Sequence, residues 1–314
     1  MRKVLFDCDT GGDDATSMCL GIASKDIQVL GVTACMGNLE LRQTLRNALH
    51  LMQYLGADVP VAKGSEKPLV RDLWVGSKEE SFLPIPGAES ITKQPEALGA
   101  VDFMAKVLRE STDKVTLIPL APLTNIAKLM MFYPDLVKAK VEDICIMGGA
   151  MAFGNVTAAA ELNLYADPEA AKCVFNFGLP IKMVGLEVCE KAYLCYGDLD
   201  RIKAVNNKPA TAFYNIVKQS LDSYGSYYAK LDNEEPRVLM YDSLTVVYLL
   251  HPEIFTTVKA KVRVEASSSI SDGMTVCDTR WRLPEEEKID TVVLDCDREK
   301  YVDWVVEILK EAEQ

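Results

Sequence analysis

Short apolar runs rich in β-branched residues alternate along this chain with longer stretches of helical period, and few architectures accept that pattern. Residues 3-KVLFD-7, 28-QVLGVTA-34, 115-VTLIPLA-121, 143-DICIMGG-149 and 180-PIKMVG-185 read as buried strands, because their apolar residues are largely consecutive. Between them, 40-ELRQTLRNALHLMQYLG-56 sets Leu41, Leu45, Ala48, Leu49 and Met52 on one face and closes at Gly56, a helix stop. The segments 97-ALGAVDFMAKVLRE-110, 122-PLTNIAKLMMFY-133 and 167-DPEAAKCVFNFG-178 are likewise helical, two of them with proline in the first turn. Parallel strands need crossover helices, so the pattern predicts an α/β fold: an open, mostly parallel, doubly wound (Rossmann-like) sheet with helices on both faces. Residues 196–231 read as a helical insertion, and strands return in 256-TTVKAKVRVEA-266 and 290-DTVVLD-295. An amphipathic helix over 298–313 closes the chain. Repeats, low-complexity tracts and linkers are lacking, so residues 1–314 are expected to form one domain. Residues 64–90 and the tyrosine-rich 223-SYGSYYAK-230 read as loop or lid segments.

Composition narrows the partners. A net charge of −12 and a pI near 4.8 leave no basic patch for nucleic acid or an anionic membrane. Apolar runs stop short of the roughly 18 residues a membrane helix needs. Nine cysteines lie within apolar runs without CxxC spacing, as reduced thiols serving as small hydrophobes would. The first strand follows Met1 almost at once. The expectation is a soluble, cytoplasmic protein without a signal peptide.

The chemistry concentrates in 4-VLFDCDTGGDDA-15, where Asp7, Asp9, Asp13 and Asp14 fall within eight residues. Like charges so close repel, and a fold must offset that cost. Ligands of doubly wound sheets bind at the carboxyl ends of the strands, where this run arrives, and Gly11 and Gly12 permit the tight turn. A divalent cation would explain the crowding, since hard carboxylate oxygens suit Ca²⁺ or Mg²⁺. With Asp7 or Asp9 counted as the first loop position, the twelfth is Met18 or Leu20, so this is not an EF-hand. The alternative is a solvated acidic loop whose Asp13 or Asp14 caps the next helix.

Two families open similarly. Asp7-Cys8-Asp9-Thr10 satisfies the hhhDxDxT start of haloacid-dehalogenase phosphatases, which carry their second acidic pair late in the chain. DxDxxxDD after the first strand instead resembles the inosine–uridine-preferring nucleoside hydrolases. Further motifs of that family follow in order: 37-GN-38, 122-PLTNIA-127, 146-IMGGAMAFGNVTAAAELNLYADPEAA-171, and 241-YDSL-244 where the family has HDPL. The resemblance runs from the first strand to the last helix.

The resemblance implies hydrolysis of the N-glycosidic bond of ribonucleosides through an oxocarbenium-like transition state. It implies a Ca²⁺ held by Asp9, Asp14, the backbone carbonyl of Thr124 and Asp242. Asp9 would be the general base. Asp13 would accept from the 2′-hydroxyl, and Asn38 and Asn163 would supply amides that donate and accept toward ribose. Glu161 and Asn155 would hold the 5′-hydroxyl, Met147 would pack under the sugar, and Asp7 would orient backbone or a ligand from behind. A homodimer or homotetramer is implied. Read alone, each has a plainer role: Thr124 as a helix cap, Asn155 and Asn163 as turn residues, Glu161 as a solvated charge, Met147 as core. Asp242 lies in the apolar run 238-VLMYDSLTVVYLL-250, read as helical, where a carboxylate needs a partner. A catalytically weak ribose- or nucleoside-binding protein is the reading from another class.

The chain departs from the family at the leaving group. Tyr241 stands where well-studied members have a histidine acid, and 79-EESFLPIPG-87 lacks their HG pair. Of the two histidines, His50 lies off the apolar stripe of its helix and reads as a surface residue. His251, before Pro252, reads as capping or packing. A phenol with a reference pKa of about 10 is a weak acid. Tyr241 could donate to the base, stack on it, or fill space, with Tyr224, Tyr227, Tyr228, Trp74 and Trp281 as further stacking candidates.

Overall fold

The computed structural model describes residues 1–79, 81–232 and 235–312, with the side chains of 227–232 outside the description. Its strands are β1 (Arg2–Cys8), β2 (Ile27–Ala34), β3 (Val61–Lys63), β4 (Val115–Pro119), β5 (Val141–Met147), β6 (Ile181–Val184), β7 (Tyr193–Cys195), β8 (Arg237–Leu239), β9 (Phe255–Val264), β10 (Thr275–Asp278) and β11 (Asp290–Cys296). Its α-helices are α1 (Gly12–Ala23), α2 (Leu41–Leu55), α3 (Ala100–Glu110), α4 (Thr124–Phe132), α5 (Pro134–Lys140), α6 (Leu162–Ala166), α7 (Pro168–Phe175), α8 (Leu186–Cys189), α9 (Tyr196–Lys203), α10 (Lys208–Asp232), α11 (Ser243–Leu250) and α12 (Arg298–Lys310).

A mixed, mostly parallel sheet runs β10-β9-β11-β6-β5-β4-β1-β2-β3. The strands from β11 to β3 in that order are parallel, and β9 pairs antiparallel with both β11 and β10. Period-two side-chain alternation divides the core between the two faces. Val4, Phe6 and Cys8 of β1 join α1, α2, α11 and α12, whereas Leu5 joins α3, α4 and α7. Both faces are therefore covered, which is why the strands read as continuous apolar runs.

The elements missed in the sequence are short. β3, β7, β8 and β10 have three or four residues, too few to show a period. β7 and β8 pair with each other and bracket the helical insertion formed by α9 and α10. Proline works differently from the expectation at one site. Pro122 precedes α4, while Pro134 and Pro168 open α5 and α7.

Two readings need correction. His50 is buried, with Nε2 2.8 Å from the carbonyl of Pro86. The segment over residues 81–90 lies across α2, where the Asn47 amide also donates to Ser81 O and Arg46 to Ala88 O. The supposed outer face of the helix is thus covered by a loop. Tyr241 and Asp242 are not inside a helix either: they form the turn between β8 and α11, with Asp242 at the N-cap position. His251 packs as expected, stacked on Trp304 at 3.4 Å between ring centroids. Among the described residues no helix is long and apolar enough to cross a membrane.

Candidate active site

β1 releases its acidic residues where the sheet ends. Asp14, third residue of α1, turns its carboxylate back onto the loop: Asp9 N–H donates to Oδ1 at 3.0 Å and Gly11 N–H to Oδ2 at 3.1 Å. A carboxylate at this position satisfies loose amides and faces the positive end of the helix dipole. The capping alternative is therefore partly realised, but within a buried site. Asp9 Oδ2 accepts the N–H of Asn38. A Cβ on Gly37 would overlap Asp9 Oδ2, so only glycine lets the strand-end backbone come this close.

Asp7 faces away from this turn. Its Oδ1 accepts from Thr33 Oγ1 and, at 2.7 Å, from Asn125 Nδ2. Asn125 also donates to Ala34 O and accepts from Ser65 N and Oγ. One buried network thus binds the ends of β1 and β2 to the start of α4.

The carboxylates converge. One oxygen each from Asp13, Asp14 and Asp242 lies within 4.8 Å of the others. The expectation had Asp9 among the ligands and Asp13 on the substrate. Here Asp13 joins the trio, and Asp9 is one hydrogen bond from Asp14. Burial pushes the Asp9 and Asp242 carboxyls well above the usual range, and the neighbouring carboxylates push them further. Burial raises Asp13, and it lifts Asp14 to about 8 with help from Asp13's charge. Such a group is favourable only with protons or a cation. An all-oxygen donor set fits a hard divalent metal. So does Asp9 Oδ1, a buried oxygen with no hydrogen-bond partner.

Thr124 opens α4 at the neighbouring strand end. Its hydroxyl donates to Asp167 Oδ2 at 2.6 Å, which fixes the first turn of that helix. Asp242 makes no side-chain cap bond, which leaves its carboxylate free for the trio. Ser243 beside it is 2.6 Å from the hydroxyl of the buried Tyr301, fixing the turn to α12.

Beside the carboxylates opens a cavity of about 180 Å³, lined by Asp13, Asn38, Met147, Asn155, Glu161, Asn163, Tyr241 and Asp242, with Leu120 and Leu162. All six expected sugar contacts lie on one wall or another. Glu161 is buried and caps α6, accepting from Asn163 N–H (2.8 Å) and Leu164 N–H (3.3 Å), and from Gly149 N–H (3.0 Å). Burial lifts its carboxyl to about 7 despite those bonds. Asn163 commits its Nδ2 to Leu120 O and Met147 O, so only its carbonyl oxygen remains for a hydroxyl. Asn155 is the reverse: its Oδ1 accepts from Leu162 N–H and its amide protons remain. A larger cavity of 360 Å³ lies by Lys3, Gln28 and Phe103, at the opposite ends of the strands and away from the carboxylates.

Of the stacking candidates among the described residues, Tyr241 alone lines the cavity. Tyr224 and Trp281 are solvent-exposed, Trp74 packs edge-on against Tyr165 at 5.6 Å, and the side chains of Tyr227 and Tyr228 lie outside the described residues.

Comparison with known proteins agrees with this geometry. A model of the family "Inosine-uridine preferring nucleoside hydrolase" matches residues 4–303. The chain belongs to that family. It is 41% identical to the pyrimidine-specific ribonucleoside hydrolase RihA of Escherichia coli O7:K1 over 310 residues, 98% of each chain. RihA of Klebsiella pneumoniae is 40% identical over 98% of this chain and 97% of its own. Among solved structures, an inosine–guanosine nucleoside hydrolase superposes with a TM-score of 0.84 at 25% identity, covering 100% of this chain and 99% of its own. A purine-preferring ribonucleoside hydrolase from Gardnerella vaginalis gives 0.82 at 26%, covering 99% and 100%.

As a nucleoside hydrolase, the chain has no use for the phosphatase reading. Asp7, the nucleophile that reading requires, is buried, bonded to Thr33 and Asn125, and absent from the cavity lining. Two residues that support the site from behind escaped assignment. Asn125 and Asp167 stood inside quoted motifs, PLTNIA and DPEAA, and their position there was the signal. Asp167 caps α7 through Ala170 N–H, a bond worth about 1 kcal/mol, and also holds Thr124 and Leu69 N–H.

Proposed function

We propose that this nucleoside hydrolase cleaves the N-glycosidic bond of ribonucleosides in a Ca²⁺-dependent reaction, with pyrimidine nucleosides preferred. One observation carries the reading: a cavity in which buried carboxylates and oriented amides meet at the strand ends. Asp9, Asp14, Asp242 and the Thr124 carbonyl would hold the metal, with Asp13 close enough to Asp14 and Asp242 to share in it. When bound, Ca²⁺ would supply an acidified water and coordination sites for sugar hydroxyls.

The chain's own groups do the rest. Asp9 takes the proton from the attacking water, and its partnerless Oδ1 is the atom available for it. Asp13 accepts from the 2′-hydroxyl. The Asn163 carbonyl and the Asn38 amide hold the ribose edge. Glu161 accepts from the 5′-hydroxyl while Asn155 donates to it. Met147 supplies an apolar floor at the end of β5, so that positive charge growing on the sugar faces carboxylates rather than water. Tyr241, on the cavity wall beside Asp242, assists the departing base.

Pyrimidine preference is supported by the relatives named pyrimidine-specific, which share 40–41% of their residues over nearly the whole chain. The test is release of free ribose from uridine, cytidine, inosine and adenosine. Ribose from uridine and cytidine ahead of the purines is expected. Tight binding without free base would instead mean a nucleoside-binding protein.

A further inference from the structure

Residues 148–160 form a segment without helix or strand, and this segment carries Asn155 into the cavity wall. Such a stretch is costly to order and needs anchors. Its far end is tied to itself. Ala160 O accepts from Asn155, Val156 and Thr157 N–H, and Thr157 Oγ1 accepts from Ala159 and Ala160 N–H.

Its near end is held from outside, one amide after another. Gly149 N–H donates to Glu161 Oε2 and Ala150 N–H to Thr275 Oγ1 at 2.9 Å. Glu187 Oε1 then takes two consecutive amides, Met151 at 2.6 Å and Ala152 at 2.8 Å. Gly149 makes the turn with φ +77°, where a Cβ would also crowd Met183 and Thr275. Glu187 stands on α8, directly after β6, and Leu186 N–H to Gly149 O (3.0 Å) seats that helix against the segment. The other oxygen of Glu187 is buried without a hydrogen-bond partner, so the carboxylate is committed inward. Glu187 does not line the cavity.

We propose that Glu187 is a positioning residue for the sugar's 5′ end: by gripping Met151 and Ala152 it sets the segment that brings Asn155 beside Glu161. The inference rests on the proposed reading that these two hold the 5′-hydroxyl. A carboxylate oxygen accepts two amides at once and does so more strongly than a neutral group. Removing it frees the near end, while Glu161 keeps its bonds within α6.

The test compares uridine with 5′-deoxyuridine in the wild type, Glu187→Ala and Glu187→Gln. The ratio of the two kcat/KM values is read, because it does not depend on how much of a variant is folded. Wild type should favour uridine. Glu187→Ala should lose about tenfold or more on uridine while 5′-deoxyuridine changes about twofold or less, collapsing the ratio. Glu187→Gln keeps an acceptor oxygen and should restore part of it. An unchanged ratio in Glu187→Ala, whether both rates fall together or neither falls, overturns the inference. A wild type indifferent to the 5′-hydroxyl overturns the reading beneath it, visible before any variant is made.

Discussion

The floor of the cavity and its mouth are built by opposite means. On the floor Asp242, Glu161 and Asn163, and beneath it Asp9 and Asp14, are 5% exposed or less, and Asp9, Asp14, Glu161 and Asn163 are held by backbone bonds at the ends of strands and the starts of helices. At the mouth, Asn155 is exposed, Tyr241 and Leu162 are half-buried, and the supporting chain is the irregular 148–160 segment and the β8–α11 turn. On the proposed function, the floor treats what every ribonucleoside shares. The mouth adds Asn155 for the shared 5′-hydroxyl and Tyr241 for the base, the part that differs. Rigid buried groups suit the first task because the transition-state charge is always in the same place; a wall of loops can change without disturbing it.

That contrast can be broken in several ways, and the largest effect concerns the sugar. A floor that commits Asp13 and the metal to the 2′-hydroxyl leaves them unpaired when it is missing. Uridine should exceed 2′-deoxyuridine by about 10⁴-fold in kcat/KM. Comparable values for the pair would end the assignment of the floor to ribose.

Next comes the base. Asp9→Asn keeps the shape and an acceptor for Asn38 N–H but cannot take a proton. Loss of about 10³-fold on all nucleosides alike is expected from steady-state kinetics. A loss confined to one base would move Asp9's role to the mouth.

Tyr241→Phe should separate the regions from the other side. It should slow uridine by less than about tenfold, below the usual range for an acid, because a phenol is a weaker acid than an imidazolium. p-Nitrophenyl riboside, whose leaving group needs no proton, should be unaffected. Equal loss on both substrates would reassign Tyr241 to binding or packing.

The smallest effect is thermal. Asp14, lifted to about 8, favours its protonated form in the fold. For an acid with a raised folded pKa, that contribution is present at low pH and fades as pH rises through about 8. Metal-free protein should therefore lose stability from this group between pH 6 and 8, while a cation that needs the ionised form binds better. The calcium-induced rise in Tm should grow over that interval, reaching several degrees at saturating metal. A rise that shrinks with pH would contradict the carboxylate trio as its source.

The same division governs what could be read from the sequence. The parallel strands were visible because each is buried on both faces, and the floor residues because motifs such as 7-DCDTGGDD-14 pack many functional groups into one strand end. What was missed acts across the fold. His50 is buried by a loop 36 residues away in sequence, at Pro86, which helical periodicity cannot register. Tyr241 and Asp242 looked helical because the three-residue strand β8 before them is defined only by its pairing with β7. Glu187 reads as one charge in a short helix until its contacts with Met151 and Ala152 are seen.

The central claim is that a metal-holding floor hydrolyses the ribosyl bond, and chelation tests it most directly. Ribose release from uridine is followed for purified protein, after exhaustive chelation, and after adding back Ca²⁺. The account predicts calcium in the purified protein, loss of about 10³-fold or more on chelation, and recovery on return of the ion. Unchanged ribose release from calcium-free protein would contradict it.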